Sequence, residues 1–125
     1  MTLNLFVLAV GAILGAFARF GFTHISSDMS QHHGFPYGTL AVNVLGSYIV
    51  GFVLTWRPDH AHDTWRLFAA TGFCGAFTTF SAFAYESVGY LRDGNAATFL
   101  VNFGLNNLLA MLAVWGGVLS HPQGR

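Results

Sequence analysis

Small neutral polar side chains recur inside the long apolar stretches of this 125-residue chain, where each polar group needs a partner. One helix face carries three of them, four residues apart: Thr39, Asn43 and Ser47. Hydroxyl and carboxamide groups can replace the water around a small ion without trapping it by charge. They can equally join helices through hydrogen bonds, and the spacing leaves both interpretations open.

The last apolar stretch holds a second polar group. Asn106 follows Asn102 by four residues, and Asn107 stands beside it. Here too the side chains can be hydrogen-bonding partners between helices or part of an ion pathway. The sequence does not decide between the two roles.

The third apolar stretch reads TGFCGAFTTFSAF from Thr71 to Phe83. Two glycines, each about 1 kcal/mol worse than Ala in a helix, precede the β-branched pair Thr78 and Thr79. This predicts a helix broken near mid-membrane, which requires protein, water or an ion beside the freed backbone groups. A kinked helix whose hydroxyls bond back to its own carbonyls is the alternative.

Aromatic rings recur three residues apart in the same stretch, at Phe77, Phe80 and Phe83. Such a stripe is typical of packing, but ring edges are positive and can stabilise a partly dehydrated anion. Arg19 is either an interface anchor or a group that attracts anions. For Glu86 the options are a position near an interface, a pair with an Arg, or proton coupling.

Composition indicates whether these residues are surrounded by water or by lipid. Only 10 side chains are charged, 5 Arg and 5 acidic, while 54% of residues are hydrophobic and the mean hydropathy is +0.53. Soluble domains carry about 25% charged residues, so lipid is the expected surroundings. The chain has no basic patch for nucleic acid, and its single cysteine, Cys74, excludes an intramolecular disulfide.

Four apolar segments follow, each near the length of about 20 residues that crosses a bilayer. They predict a single all-α membrane domain, residues 1–125, with helices over about residues 3–22, 37–56, 67–91 and 96–119. Between them, His24 to Pro36, Arg57 to Arg66 and Arg92 to Gly94 are predicted as loops. The histidines of the first two loops are expected to be solvated rather than metal ligands.

The arginines are shared almost evenly between the two sides of the predicted bundle. Arg57, Arg66 and Arg125 lie on the side of the termini, and Arg92 and Arg19 lie on the other. This balance fits a protein that inserts both ways and pairs as an antiparallel dimer, or an accident of small numbers. Gly11 and Gly15 have the spacing at which helix backbones approach closely.

Three sequence runs carry a family likeness: GAxxGAxxRF from Gly11, PxGTLxVNxxG from Pro36, and TGFCGxxTTFSxF from Thr71, followed by Glu86. With them the chain resembles the Fluc family of fluoride channels, also called CrcB, over essentially its full length. The resemblance implies an antiparallel, dual-topology homodimer of four-helix subunits in a bacterial plasma membrane. It also implies two pores that let cytoplasmic fluoride leave passively.

Residue roles are implied by the same resemblance. Phe80 and Phe83 would line the pore, Asn43 would donate its amide N–H to fluoride, and Ser81 and Thr39 would belong to a polar track. Within the broken segment, the backbone carbonyls of Gly75 and Thr78 would hold a structural Na⁺ on the dimer axis. Arg19 would be the basic side chain at the pore vestibule.

Two positions depart from the family pattern. Ala82 and Leu108 stand where relatives often have hydroxyl residues, and Asn106 or Asn107 is a candidate to compensate. A proton-coupled small multidrug transporter is a rival function, but its first helix would carry a Glu that this chain lacks. A membrane assembly subunit that transports nothing is another. No enzyme motif is present.

Overall fold

The computed structural model describes residues 1–56 and 62–121, with the backbone alone at residues 62 and 63. The described residues form helices and turns, and four stretches are long and apolar enough to cross a membrane. These are Thr2–Ile25, Tyr37–Thr55, Thr64–Arg92 and Ala96–Leu119. The four predicted spans are therefore confirmed, with the first and third longer than expected.

The helices follow one another in a simple order. They are α1 (Thr2–Ile25), α2 (Ser27–His33), α3 (Tyr37–Thr55), α4 (His62–Arg66), a π-helix (Leu67–Cys74), α5 (Gly75–Phe77), α6 (Phe80–Arg92) and α7 (Ala96–Leu119). The third span is thus built from several helical pieces.

The segment between the first two spans was predicted as a loop, and this is wrong because it contains α2. Asp28 in the first turn of α2 and His32 and His33 in its last turn suit the helix dipole. Gly34 ends the helix with a φ of 65°, a left-handed conformation that glycine adopts freely. The turn-forming residues mark the ends of a short helix.

Part of the second predicted loop lies outside the described residues, including Arg57 and His60, as does Arg125 at the end of the chain. Its last residues form α4, which leads directly into the π-helix. Among the described residues, no three His, Cys, Asp or Glu side chains come together as metal ligands.

Two close helix contacts organise the bundle. α1 packs against the π-helix and α5, where any side chain at Gly11 or Gly15 would overlap the backbone of Phe68 or Phe73. α3 packs along α7, where Gly51 and Gly117 permit a similar approach. Without a hydrophobic force between helices in lipid, such backbone proximity supplies much of the van der Waals contact.

The third span has extended backbone between α5 and α6. Thr78 has a ψ of 158°, and Thr79 has φ −148° and ψ 110°. The Thr79 hydroxyl accepts a hydrogen bond from the Ala82 N–H at 3.2 Å and so caps α6. These two residues lie in the segment where the sequence predicts a break, and they separate helices that face different neighbours.

Candidate functional site

The extended residue Thr79 is paired with the side chain of Asn43 from α3. The Thr79 N–H donates to Asn43 Oδ1 at 2.8 Å, and Asn43 Nδ2 donates to the Thr79 carbonyl at 3.2 Å. An interrupted helix exposes such backbone groups, and in lipid each unpaired group costs several kcal/mol. Asn43 therefore takes over the hydrogen bonds that the helix gives up at this point.

Asn43 lies in a cleft of about 340 Å³ between α3, α7 and the extended residues, which we call the ion cleft. Its polar lining comprises Asn43, Ser47, Thr78, Thr79, Asn106 and Asn107. Its apolar lining comprises Val50, Phe80, Phe83, Ala110, Met111 and Val114. The cleft therefore combines neutral hydrogen-bonding groups with aromatic rings and contains no charged side chain.

The two phenylalanines of the ion cleft differ sharply in exposure. Phe80 is 78% exposed and Phe83 is 6% exposed, with ring centroids 5.6 Å apart and planes inclined by 57°. The Phe83 ring also lies beside the ring of Phe103 on α7, with ring centroids 6.1 Å apart. A tilted arrangement of this kind presents ring edges, which carry partial positive charge, to a neighbouring group.

Only part of the predicted pore set meets in the ion cleft. Asn43, Phe80 and Phe83 line it, whereas Ser81 is exposed beside Thr79, with their hydroxyl oxygens 3.4 Å apart. Thr39 is buried elsewhere, in a second cleft of about 360 Å³. The residues predicted to form one pore and polar track therefore lie in separate places in the single chain.

Thr39 has an acidic partner that the sequence did not reveal. Its hydroxyl donates to Glu86 Oε1 at 2.6 Å, joining α3 to α6. Glu86 Oε2 is buried and has no hydrogen-bond partner among the described residues. Glu86 is thus paired with a hydroxyl, and none of the arginines that the structure describes forms the predicted pair with it.

The asparagines of α7 extend the polar contacts away from the ion cleft. Asn43 Nδ2 donates to Asn106 Oδ1 at 3.0 Å, Asn106 Nδ2 to Asn102 Oδ1 at 2.9 Å, and Asn102 Nδ2 to Ser87 Oγ at 3.1 Å. Asn107 instead bonds back to the Phe103 carbonyl of its own helix at 2.7 Å. Sequence reasoning missed Ser87, although it lies four residues after Phe83.

Arg19 lies against the end of α5. Its Nε donates to the Ala76 carbonyl at 3.0 Å, and the residue is half-buried. Because α5 ends at Phe77, this carbonyl lacks the next helical turn, and a cation there also suits the helix dipole. The structure thus gives Arg19 a helix-capping contact, and its role at a vestibule stays a prediction.

The carbonyls predicted to hold Na⁺ have lost their usual helical donors. In an unbroken helix the carbonyls of Gly75 and Thr78 would accept from the N–H groups of Thr79 and Ala82. Those N–H groups donate to Asn43 Oδ1 and Thr79 Oγ1 instead. Gly75 is also exposed in the single chain, and a backbone carbonyl is an oxygen ligand of the kind that suits a hard cation.

The two departures from the family pattern lie outside the ion-cleft lining. Leu108 is 58% exposed on α7, and Ala82 is half-buried in the first turn of α6. The hydrogen-bonding groups that α7 contributes to the cleft come from Asn106 and Asn107 instead.

Comparisons with known proteins identify the family. Residues 6–118 match the family model for CrcB-like protein, Camphor Resistance (CrcB). The chain is 40% identical over 111 residues to the "Fluoride-specific ion channel FluC" of Koribacter versatilis (strain Ellin345), covering 87% of each chain. It is 39% identical over 115 residues to the protein of that name from Sulfurihydrogenibium sp. (strain YO3AOP1), covering 90% of this chain and 92% of the relative.

A relative from Hydrogenovibrio crunogenus (strain DSM 25203 / XCL-2), with the same name, is 38% identical over 125 residues. That match covers 97% of this chain and 92% of the relative. The matches therefore run through all four membrane spans and through the ion cleft. The chain belongs to the CrcB family, whose members named here are fluoride-specific ion channels.

Proposed function

We propose that this protein is a passive, fluoride-selective channel that lets cytoplasmic fluoride leave a bacterial cell through the plasma membrane. The observation that carries the proposal is the ion cleft, where Asn43, Phe80 and Phe83 meet without a charged group. The family consists of channels, so this chain is not an enzyme. Its four apolar spans make it an integral membrane protein.

The chemistry of the cleft suits a small, strongly hydrated anion. Fluoride must exchange its water for other donors, and it must bind them weakly enough to leave. Carboxamide N–H groups, hydroxyls and positive ring edges meet both demands, whereas a buried Lys or Arg would hold the ion in a deep well. A potential that is negative inside favours exit by about 2.3 kcal/mol per 100 mV.

Asn43 can serve fluoride only by exchanging a hydrogen bond. Both of its amide hydrogens have partners in the chain, the Thr79 carbonyl at 3.2 Å and Asn106 Oδ1 at 3.0 Å. The bond to Thr79 is the longer one. We therefore assign to fluoride the hydrogen that faces Thr79, while Asn106 keeps the other.

A second copy of the chain would complete each pore. Phe80 is 78% exposed in the single chain, which leaves one side of the ion cleft open. An antiparallel partner can cover that side in a symmetric dimer and thereby create two equivalent pores. The near-even sharing of five arginines between the two sides of the bundle supports insertion in both orientations.

The same dimer would bring the carbonyls of Gly75 and Thr78, which lack their usual helical donors, close to their symmetry mates. Oxygen ligands of this kind suit Na⁺ and other hard cations rather than soft metals. When bound, the ion would join the two broken helices electrostatically. We propose a structural Na⁺ at this place that is not itself transported.

The rival functions find less support. A transporter that exchanges protons through a carboxylate in its first span has no candidate in α1, which contains neither Asp nor Glu. A subunit used only for assembly would have no need of a cleft lined by neutral donors and ring edges. The relatives named above also carry the name of a channel.

Efflux from liposomes tests the function. Protein is reconstituted into vesicles loaded with equal concentrations of fluoride and chloride, without a pH gradient, and both anions are followed with ion-selective electrodes. We expect rapid fluoride efflux and chloride efflux at the level of protein-free vesicles. Equal efflux of the two anions, or none of either, would overturn the proposal, and a requirement for a proton gradient would favour the transporter.

A further inference from the structure

Four hydrogen bonds run in one direction from the extended segment into the protein interior. The Thr79 N–H donates to Asn43, Asn43 to Asn106, Asn106 to Asn102, and Asn102 to Ser87, at 2.8, 3.0, 2.9 and 3.1 Å. In each carboxamide the oxygen accepts from one member of the chain and the nitrogen donates to the next, and the Asn43 nitrogen also donates back to the Thr79 carbonyl. A chain with this order polarises each of its members in the same sense.

The inner members of the chain are firmly held. Asn102 is 0% exposed and Asn106 is 6% exposed. Asn106 Nδ2 donates to the Asn102 backbone carbonyl at 3.0 Å as well as to its side-chain oxygen. Two acceptors on one side of Asn106 therefore turn its own oxygen toward Asn43.

The orientation of Asn43 depends on this arrangement. Carboxamide oxygen and nitrogen are nearly equal in size, so packing alone distinguishes the two orientations poorly. An acceptor at Asn106 and a donor at the Thr79 N–H favour the same one. In that orientation the nitrogen of Asn43 can donate to an anion once its bond to the Thr79 carbonyl is exchanged, while its oxygen stays paired with the Thr79 N–H.

We propose that Asn106, supported by Asn102, is a positioning residue that keeps the amide nitrogen of Asn43 available to fluoride. This inference rests on the proposed function, because only a channel presents fluoride to Asn43. The competing role is simple hydrogen bonding that joins α7 to α3 through Asn106 and to α6 through Asn102. That role would contribute to stability without affecting how Asn43 meets an anion.

The main test is Asn106→Leu, which keeps the shape of the side chain and removes both its acceptor and its donor. We expect fluoride efflux per folded channel to fall about tenfold, the effect of one lost bond to a buried group. The fluoride-to-chloride ratio should fall as well, since Asn43, left with only its two bonds to Thr79, is held less firmly in the orientation that presents nitrogen. Wild-type efflux and selectivity in this variant would overturn the proposal.

Tyr48→Phe is the matched control. It removes a 2.9 Å hydrogen bond between the Tyr48 hydroxyl and Ser120, on the exposed side of the α3 and α7 pair. We expect unchanged efflux and selectivity in this variant. An equal loss in both variants would show that any hydrogen bond between these regions suffices, which would contradict positioning.

A second measurement separates this inference from the proposed function. In protein labelled with ¹⁵N-asparagine, the Asn43 side-chain signals are assigned by their disappearance in Asn43→Ala. We expect two sharp, well-separated N–H signals in wild-type protein and broadened or merged ones in Asn106→Leu. Unchanged signals would overturn the inference even if fluoride passes, whereas altered signals in a protein that passes no fluoride would overturn only the proposed function.

Asn102→Leu provides a milder variant if Asn106→Leu does not fold. It removes the side-chain acceptor of Asn106 but leaves the backbone carbonyl that Asn106 also bonds. We expect an efflux loss of about two- to threefold with the same change in the Asn43 signals, because one of two acceptors remains. Wild-type signals and efflux in this variant would contradict the role of Asn102.

Discussion

The third span is held in two different ways before and after its extended residues. Before them, the π-helix lies against α1, where Gly11 and Gly15 let the backbones approach closely. After them, α6 is joined to its neighbours by side-chain hydrogen bonds, Thr39 to Glu86 and Asn102 to Ser87. The first half depends chiefly on close backbone contact, beside the Arg19 bond to the Ala76 carbonyl, and the second half depends on particular polar side chains.

The difference explains where an ion pathway can form. Packed backbones cannot exchange one contact partner for another. The half of the span that packs against α1 therefore only fixes the position of the span in the bundle. Hydrogen bonds can be exchanged, and an ion can replace one partner at little net cost. The cleft with Asn43 lies on the side of the span where such exchange is possible.

The largest effect is expected from Asn43→Ala, since this residue joins the extended segment to the polar side. Loss of the carboxamide leaves the Thr79 N–H and carbonyl without that partner, which destabilises the fold by about 1–3 kcal/mol per buried group. Fluoride efflux should fall by about a hundredfold, as expected when one essential donor to a dehydrated ion is removed. Dimers should still be visible by size-exclusion chromatography. Efflux at the wild-type level would show that Asn43 does not line the pore.

The next largest effect is expected from Gly15→Ala on the backbone-packed side. A methyl group there overlaps the Phe73 backbone, and overpacking of this kind costs about 1–3 kcal/mol. The midpoint of thermal unfolding in detergent should fall clearly, with selectivity unchanged in the protein that remains folded. Gly21→Ala is the matched control, because no atom lies near that position and the same substitution should not destabilise the protein. Equal midpoints would mean that the close contact carries no stability.

A smaller effect is expected from Phe80→Ile. The ring is 78% exposed in the single chain, so its loss should leave folding intact. Fluoride efflux should fall about two- to tenfold, corresponding to an aromatic interaction of about 0.5–1.5 kcal/mol. Phe17→Ile, at a ring 72% exposed on α1, is the control and should conduct normally. If both variants conduct like wild type, the ring edges have no part in permeation.

The smallest effect is expected from exchange of Na⁺ for a bulky organic cation such as N-methylglucamine. If the carbonyls of Gly75 and Thr78 bind Na⁺ in the dimer, its removal lowers stability by about 0.4 kcal/mol when the Na⁺ concentration equals the dissociation constant. The unfolding midpoint should then rise with Na⁺ concentration at constant ionic strength. An unfolding midpoint that does not change with Na⁺ concentration would argue against the carbonyl site.

Much of the architecture follows from hydropathy. Ten charges placed mainly between apolar runs were enough to predict all four spans, because charged groups are excluded from lipid. Composition also predicted a break in the third span near mid-membrane, since glycines and two β-branched threonines weaken a helix locally, and that break stays a prediction. The depth of these residues in a membrane stays a prediction, as do the pairing of two chains and the roles of the pore residues.

Other features depend on contacts between distant residues. The π-helix was not predicted, because its sequence differs little from that of an ordinary apolar helix. α2 was missed since its seven residues are too short and polar to show a periodic pattern. The link from Thr39 to Glu86 spans 47 positions, and no local spacing relates the two residues.

Side-chain types alone were enough to predict a four-span membrane protein with neutral polar groups and aromatic rings inside its apolar spans. Those properties depend on side-chain type, and lipid penalises charge wherever it lies. Which of these groups meet depends on how the helices pack. The tertiary structure placed Asn43 against Thr79 and Asn106, separated Thr39 from the ion cleft, and turned Arg19 toward the end of α5. Hydrogen bonds have short range and direction, so their partners are settled only when helices pack.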